Sequence, residues 1–277
     1  RRNRASLVPD RLLRLIADGT LRVETEGRVI GQINGLAVYQ LGTQAFGVPM
    51  RISCRTGIGR RGVIDIEREV ERSGAIHSKG VLVLNGYLLG AFGRRRQLAF
   101  TASLTFEQSY DNVEGDSASS AELYVILCSL AGIPIRQDVA VTGSVDQFGR
   151  IQAVGGVTEK VEGFYGVCKQ RGLTGTQGVM VPATNLLDLT LTPEVIAAVA
   201  RGEFHIWPVT TIGEGLEILT GILAGEKDGA VDYPDGTIFH AVETALDEMG
   251  KAVRAAESPA AITDGLRRRG QQWGALP

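Results

Sequence analysis

Histidine and cysteine are scarce in this chain of 277 residues, which holds three of each. Cys54, Cys128 and Cys168 are odd in number and far apart. They make neither a disulfide framework nor a metal cluster, and they suit a reducing, cytoplasmic setting. Cys128 and Cys168 fall in apolar helical patterns and are expected to be buried structural thiols. No Cys-x-x-Cys or His-x-x-x-His spacing occurs, so no metal is expected. No Gly-x-Ser-x-Gly is present either, which leaves a Ser-His-Asp hydrolase without its nucleophile elbow. The phosphate-binding Gly-x-x-x-x-Gly-Lys-Ser/Thr is also missing, so no nucleotide cofactor is expected in this chain. No apolar run is long enough to span a bilayer, and no signal peptide opens the sequence. Residue 1 is Arg, which reads as a start inside a longer open reading frame or a trimmed chain. The net charge of −2 points to no nucleic-acid partner. The triplets Arg94-Arg95-Arg96 and Arg267-Arg268-Arg269 read as solvated surface.

What is present is a globular composition, 44% hydrophobic, enough for one large domain or one domain with a small appendage. Its 36 glycines are nearly twice the usual share but follow no period, so they read as many tight turns. Residues 8–18 predict a short amphipathic helix. From about Arg28 the pattern changes to strands broken by glycine. The segment 97–106 alternates, with Leu98, Phe100, Ala102, Leu104 and Phe106 on one side, and predicts a half-buried strand. A helix follows over 117–132, stopped by Gly132 and Pro134. Residues 138–145 and 150–156 predict two strands joined through Asp146-Gln147-Phe148-Gly149. A second helix over 157–171 ends at Gly172, and strands then alternate with helices to 221. This gives an N-terminal helical extension over 1–27, a core over 28–223, and a linker with a helical tail over 224–277. The mixture of hairpins and crossovers is α+β in character.

Two polar residues stand out. Ser117 lies in Glu114-Gly115-Asp116-Ser117-Ala118-Ser119 at a predicted helix start, where unpartnered N–H groups can hold an oxyanion. Capping of that helix by Asp116 and Ser117 is the plainer reading of the segment alone. Lys160 shifts the balance. At about 100° per residue it falls on the edge of the apolar arc formed by Val157, Val161, Phe164, Tyr165 and Cys168. A lysine on a buried side is uncommon. It is either snorkelling or a desolvated amine able to take a proton from a serine. A free lysine of pKa ~10.4 is neutral in only about one molecule in 2,500 at pH 7. Lowering that pKa by ~3 units costs about 4 kcal/mol, within the reach of burial. His77, His205 and His240 have little context, His205 reading as a core residue.

Glu114–Ser119 (EGDSAS), then Thr142–Ser144 (TGS), then Gly155–Lys160 (GGVTEK) resemble the signature of Lon-type serine peptidases, closest to the LonB-like and LonC-like branches. The likeness covers about residues 28–223, and the spacing of 43 between Ser117 and Lys160 is similar as well. The resemblance implies a mixed-sheet domain of the ribosomal-protein S5 domain-2-like type with flanking helices. It implies Ser117 as nucleophile, Lys160 as general base and Thr142 as hydrogen-bond partner of the amine, with Glu114 and Asp116 at the acidic positions before the serine. It further implies a homo-oligomer, a hexameric ring, that cleaves unfolded or damaged polypeptides. Glu114 paired to Lys160 would keep the amine protonated, so an active form should aim that carboxylate elsewhere. The chain departs from the pattern at Ser103, where many members carry a histidine fourteen residues before the nucleophile. An AAA+ domain, which would bring ATP-Mg, has no motif here; the helix at 8–18 could be the end of one. The runner-up function is a non-catalytic ring scaffold, and a small-molecule amidase is weaker still.

Overall fold

The computed structural model describes residues 4–41, 44–109, 114–227 and 232–257. Its elements run α1 (Arg4–Ala17), β1 (Arg28–Val29), β2 (Gln32–Leu41), β3 (Gln44–Ile58), β4 (Gly62–Asp65), α2 (Ile66–Glu69), α3 (Ala75–Phe92), β5 (Phe100–Phe106) and α4 (Ser119–Ala131). They continue β6 (Ile135–Arg136), β7 (Val139–Val141), β8 (Ser144–Val145), β9 (Ile151–Gln152), α5 (Val157–Arg171), β10 (Gly178–Pro182), α6 (Pro193–Ala200), β11 (His205–Val209), α7 (Ile212–Thr220) and α8 (Ile238–Ala256).

Seven strands form one mixed sheet in the order β11-β10-β7-β2-β3-β5-β4. The long β2–β3 pair and the β3–β5 pair are antiparallel; the flanks, β7–β10–β11 and β4–β5, are parallel. This is the α+β mixture that the alternating hairpin and crossover signals predict. Side-chain alternation divides the interior in two. Met180 of β10 joins Ile33, Ile52, Leu104, Leu127 and Val242 in the larger core on one face. Its neighbours Val179 and Val181 join Leu36, Val161, Phe164 and Phe204 on the other. Helices α3, α4, α7 and α8 cover the first face, and α1, α5 and α6 the second. A strand covered on both sides reads as continuous apolar sequence, as in β10.

The alternating segment forms β5, with Phe100, Ala102, Leu104 and Phe106 buried and the threonines and Ser103 half-buried. The strand starts at Phe100, two residues after Leu98. The N-terminal helix begins at Arg4, earlier than its sequence pattern, and Ile16 is buried in the second core. Helix α8, in the segment read as a tail, places Ile238, Phe239, Val242 and Leu246 in the first core beside α4. The expected helix beyond 257 lies outside the described residues. All three cysteines are buried and free, Cys128 among them with its thiol pushed up to about 12 by burial.

Two features of the sheet prepare a site. Strand β7 pairs with β2 only at Asn34 and Gly35, so from Leu36 onward that edge of β2 is left open by β7. On its other side β3 meets α5 through two glycines. A Cβ on Gly47 would lie 2.0 Å from the Glu159 carbonyl oxygen, and one on Gly163 would lie 2.2 Å from the Gly47 carbonyl oxygen. Backbone thus touches backbone, and α5 lies flush on the sheet beside the open edge.

Candidate active site

Helix α4 does not begin at Ser117, as its sequence pattern implies, but at Ser119, with Ala118 in the capping position. The cause is local. The Ser117 carbonyl accepts from Gly143 N–H at 2.8 Å and from Thr142 Oγ1 at 3.4 Å, so it is withdrawn from the helix ladder. The Ala118 carbonyl is the first to accept an i+4 bond, from Glu122 N–H at 3.0 Å. Ser117 therefore sits in a turn, anchored by its backbone to the segment that leaves β7. Neither Asp116 nor Ser117 caps the helix through its side chain.

Lys160 approaches from α5 on the opposite face of the sheet and is only 2% exposed. Its Nζ donates to Ser117 Oγ at 3.1 Å and to Thr142 Oγ1 at 3.0 Å. Burial lowers its pKa to about 8, against the opposing charges of Asp116 and Glu159. A neutral amine at this distance can accept the serine proton, and Thr142 fixes the direction of its lone pair.

The other acidic candidates stand apart from the amine. Glu114 borders the cleft with its carboxylate against Gly74 at the start of α3, and forms no ion pair with Lys160 among the described residues. Asp116 packs its Cβ toward Gly80 of α3 and accepts from Ser119 N–H through its carbonyl. Ser103 lies on β5 opposite Arg55 of β3 and Ile64 of β4, and does not border the cleft.

Ser117 and Lys160 open onto a cleft of about 610 Å³. One wall is β2 from Leu36 to Gln40, beyond its pairing with β7; Met50, Phe106 and Ala118 supply apolar floor. The two N–H groups that open α4, of Ser119 and Ser120, are taken by the carbonyls of Asp116 and Gly143. The helix-start donors expected for an oxyanion are therefore spent, and Glu114, Gly115, Ser117 and Ala118 are what this segment presents to the cleft.

A residue with little sequence context proves to be deeply placed: His77 is buried against Asp65 and Glu122. The signal that could have found it is Glu122, the one acidic residue in the apolar segment of α4.

The buried lysine should weaken the fold at neutral pH. A folded pKa of about 8 against 10.5 means that the unfolded state holds its proton more tightly. The cost is full below pH 8, about 3 kcal/mol, and disappears as pH rises to 10.5. Lys160→Met should therefore raise unfolding free energy in urea at pH 7, by an amount that shrinks toward pH 10.5. Equal stability of the two proteins at pH 7 would contradict the burial argument.

The family of Lon protease (S16) C-terminal proteolytic domains matches residues 112–221. A Lon protease homolog of Escherichia coli (strain K12) is 46% identical over 222 residues, covering 79% of this chain and 38% of its own length. One of Haemophilus influenzae is 48% identical over 210 residues, covering 74% of this chain and 35% of its own length. The archaeal Lon protease of Pyrococcus abyssi is 33% identical over 211 residues, or 71% of this chain and 18% of its own length. The chain thus spans little more than a third of the two bacterial relatives. It belongs, through this domain, to the Lon (S16) family.

Proposed function

We propose that this chain is a serine endopeptidase in which Ser117 is the nucleophile and Lys160 the general base. The observation that carries the reading is the 3.1 Å contact between Ser117 Oγ and a buried, depressed-pKa amine, at the wall of an open cleft. As Ser117 Oγ attacks the scissile carbonyl, Lys160 takes its proton. Backbone N–H groups of the Gly115–Ser117 turn face the developing oxyanion. Collapse breaks the C–N bond, Lys160 returns the proton to the leaving nitrogen, and an ester to Ser117 remains. Lys160 then deprotonates a water that attacks the ester, and returns that proton to Ser117 Oγ as the acyl–oxygen bond breaks.

The open β2 edge supports a polypeptide substrate. Backbone groups from Leu36 to Val38 can pair with an extended chain laid beside them. A folded protein has its own backbone bonds satisfied, so the seat favours unfolded or damaged chains over folded ones and over small amides. Thr142 anchors the Ser117 carbonyl and also accepts from the amine, and a purely architectural ring has no use for the second contact. Assembly as a homo-oligomeric ring, a hexamer, and a cytoplasmic setting complete the proposal. No helix of the described residues is long and apolar enough to cross a membrane.

The purified chain should cleave unfolded casein at pH 8 at equal rates with and without ATP-Mg, and Ser117→Ala should not cleave it. Hydrolysis that depends on added ATP-Mg, or that survives in Ser117→Ala, would refute the proposal.

A further inference from the structure

Helix α3 contributes nothing to the cleft wall, yet it and its capping glycine touch residues on both sides of Ser117. At Gly74 it meets the Glu114 carboxylate; at Gly80 it meets Asp116 and Ser119, whose Cβ atoms lie 3.4 and 3.8 Å from where a Gly80 Cβ would stand. Between them, at 77, is a histidine. His77 Nε2 lies 3.2 Å from Asp65 Oδ2 and its Nδ1 lies 3.6 Å from Glu122 Oε1. The ring is 2% exposed and Glu122 1%.

The groups facing this imidazole come from every element packed on it. Asp65 ends β4, Glu67 belongs to α2, Glu122 to α4, and Phe106 of β5 presents its ring at a T-shaped 5.4 Å. Glu67 is already engaged, accepting from Thr105 Oγ1 at 2.8 Å and Phe106 N–H at 2.9 Å. Both Glu122 oxygens are buried with no hydrogen-bond donor. His77 is thus the one basic side chain among these buried carboxylates.

Resting on the peptidase reading above, we infer that His77 is a positioning residue for the nucleophile: as imidazolium it clamps the first turn of α4 to α3 and so holds the Ser117 turn at Lys160. The direction of its titration agrees. Burial pulls the His77 pKa down, but the Asp65 contact and the charges of Glu122, Asp65 and Glu67 outweigh it and hold the pKa above that of an ordinary histidine. Burial likewise pushes Glu122 up to about 7, with the His77 charge opposing that rise. Without the cation, the buried carboxylates face one another uncompensated. The strain is relieved by parting the start of α4 from α3. Lys160 does not share that movement, because α5 is fixed to β3 on the opposite face of the sheet. A misplacement of about 1 Å between reacting groups costs on the order of a hundredfold in rate.

The test compares His77→Gln, Glu122→Ala and Glu122→Gln with the wild-type chain, using an internally quenched peptide at pH 8. His77→Gln and Glu122→Ala should each lower kcat by about tenfold or more with KM within about twofold, since the loss is one of alignment. Glu122→Gln, which keeps the side chain's length and an oxygen toward His77 but not its charge, should retain more of kcat than Glu122→Ala. A second readout needs no turnover. The Lys160 amine, followed by NMR of ε-carbon-labelled lysine, should titrate closer to an ordinary lysine in His77→Gln and Glu122→Ala, as the loosened turn admits water. If His77→Gln does not fold, Glu122→Ala carries the test alone. A folded Glu122→Ala with wild-type kcat and an unmoved Lys160 titration would overturn the inference. A wild-type chain with no Ser117-dependent hydrolysis would overturn the peptidase reading instead, and the Lys160 titration would still decide the role of His77.

Discussion

Ser117→Ala and Lys160→Arg should each reduce peptide hydrolysis to background, and the double variant should be little worse than either. The two groups act as one unit, so the second deletion removes nothing that the first has left. Arginine preserves the positive charge and most of the length, but a guanidinium does not release its proton in a protein and cannot serve as the base. The pH dependence follows from the same amine. Its active form is the neutral one, and its pKa is lowered to about 8 by burial. At pH 7 about one molecule in ten then carries the base form, against about one in 2,500 for a free lysine. Activity of the wild-type chain should rise close to tenfold per unit below pH 8 and level off above it. Measuring kcat/KM from pH 6 to 10 on a peptide without ionisable groups checks this. A profile already flat at pH 6.5, or turnover retained by Lys160→Arg, would assign the base to another group.

Much of this arrangement is legible in the sequence because the relevant signals are local. Lys160 on the edge of an apolar arc is a statement about one helix, and α5 runs from Val157 to Arg171 between Gly156 and Gly172. The alternation of Phe100 to Phe106 is likewise local to one strand. The start of α4 is not. Its first turn is decided by Gly143 N–H and Thr142 Oγ1 taking the Ser117 carbonyl, a contact between segments 25 residues apart. No capping rule applied to Glu114–Ser119 contains that competitor. The role of β2 is hidden for the same reason. Its residues read as a strand, but the open edge depends on β7 stopping at Val141. His77 was harder still, because its partners lie on β4, α2 and α4 and meet only through the fold.

The contact between β3 and α5 carries the second large expectation. Alanine is the better helix former, by about 1 kcal/mol over glycine, so a Gly→Ala change inside α5 should stabilise it wherever the added methyl has room. Gly166 has room: the nearest atoms to a new Cβ are Leu13 side-chain carbons at 3.8 and 4.0 Å. Gly163 has none. Its Cβ would lie 2.2 Å from the Gly47 carbonyl oxygen and 2.5 Å from the carbonyl carbon, both backbone atoms of a central strand. At Gly47 the strand is paired with Val38 of β2, β5 joining its other edge only from Ile52 onward, so the clash is relieved by parting α5 from this end of β3. That movement withdraws Lys160, one turn earlier on the same helix, from Ser117 and Thr142. Gly163→Ala should therefore lose about 1–3 kcal/mol of stability despite the gain in helix propensity, the usual cost of overpacking. Its kcat should fall by on the order of a hundredfold, because a shift of about 1 Å suffices to break the alignment. Gly166→Ala, three residues along, should keep wild-type kcat and an equal or higher melting temperature. Thermal melts and peptide kinetics on the two variants side by side separate the explanations. If Gly163→Ala matched Gly166→Ala in both measurements, the close approach of β3 and α5 could not be what holds the base in place.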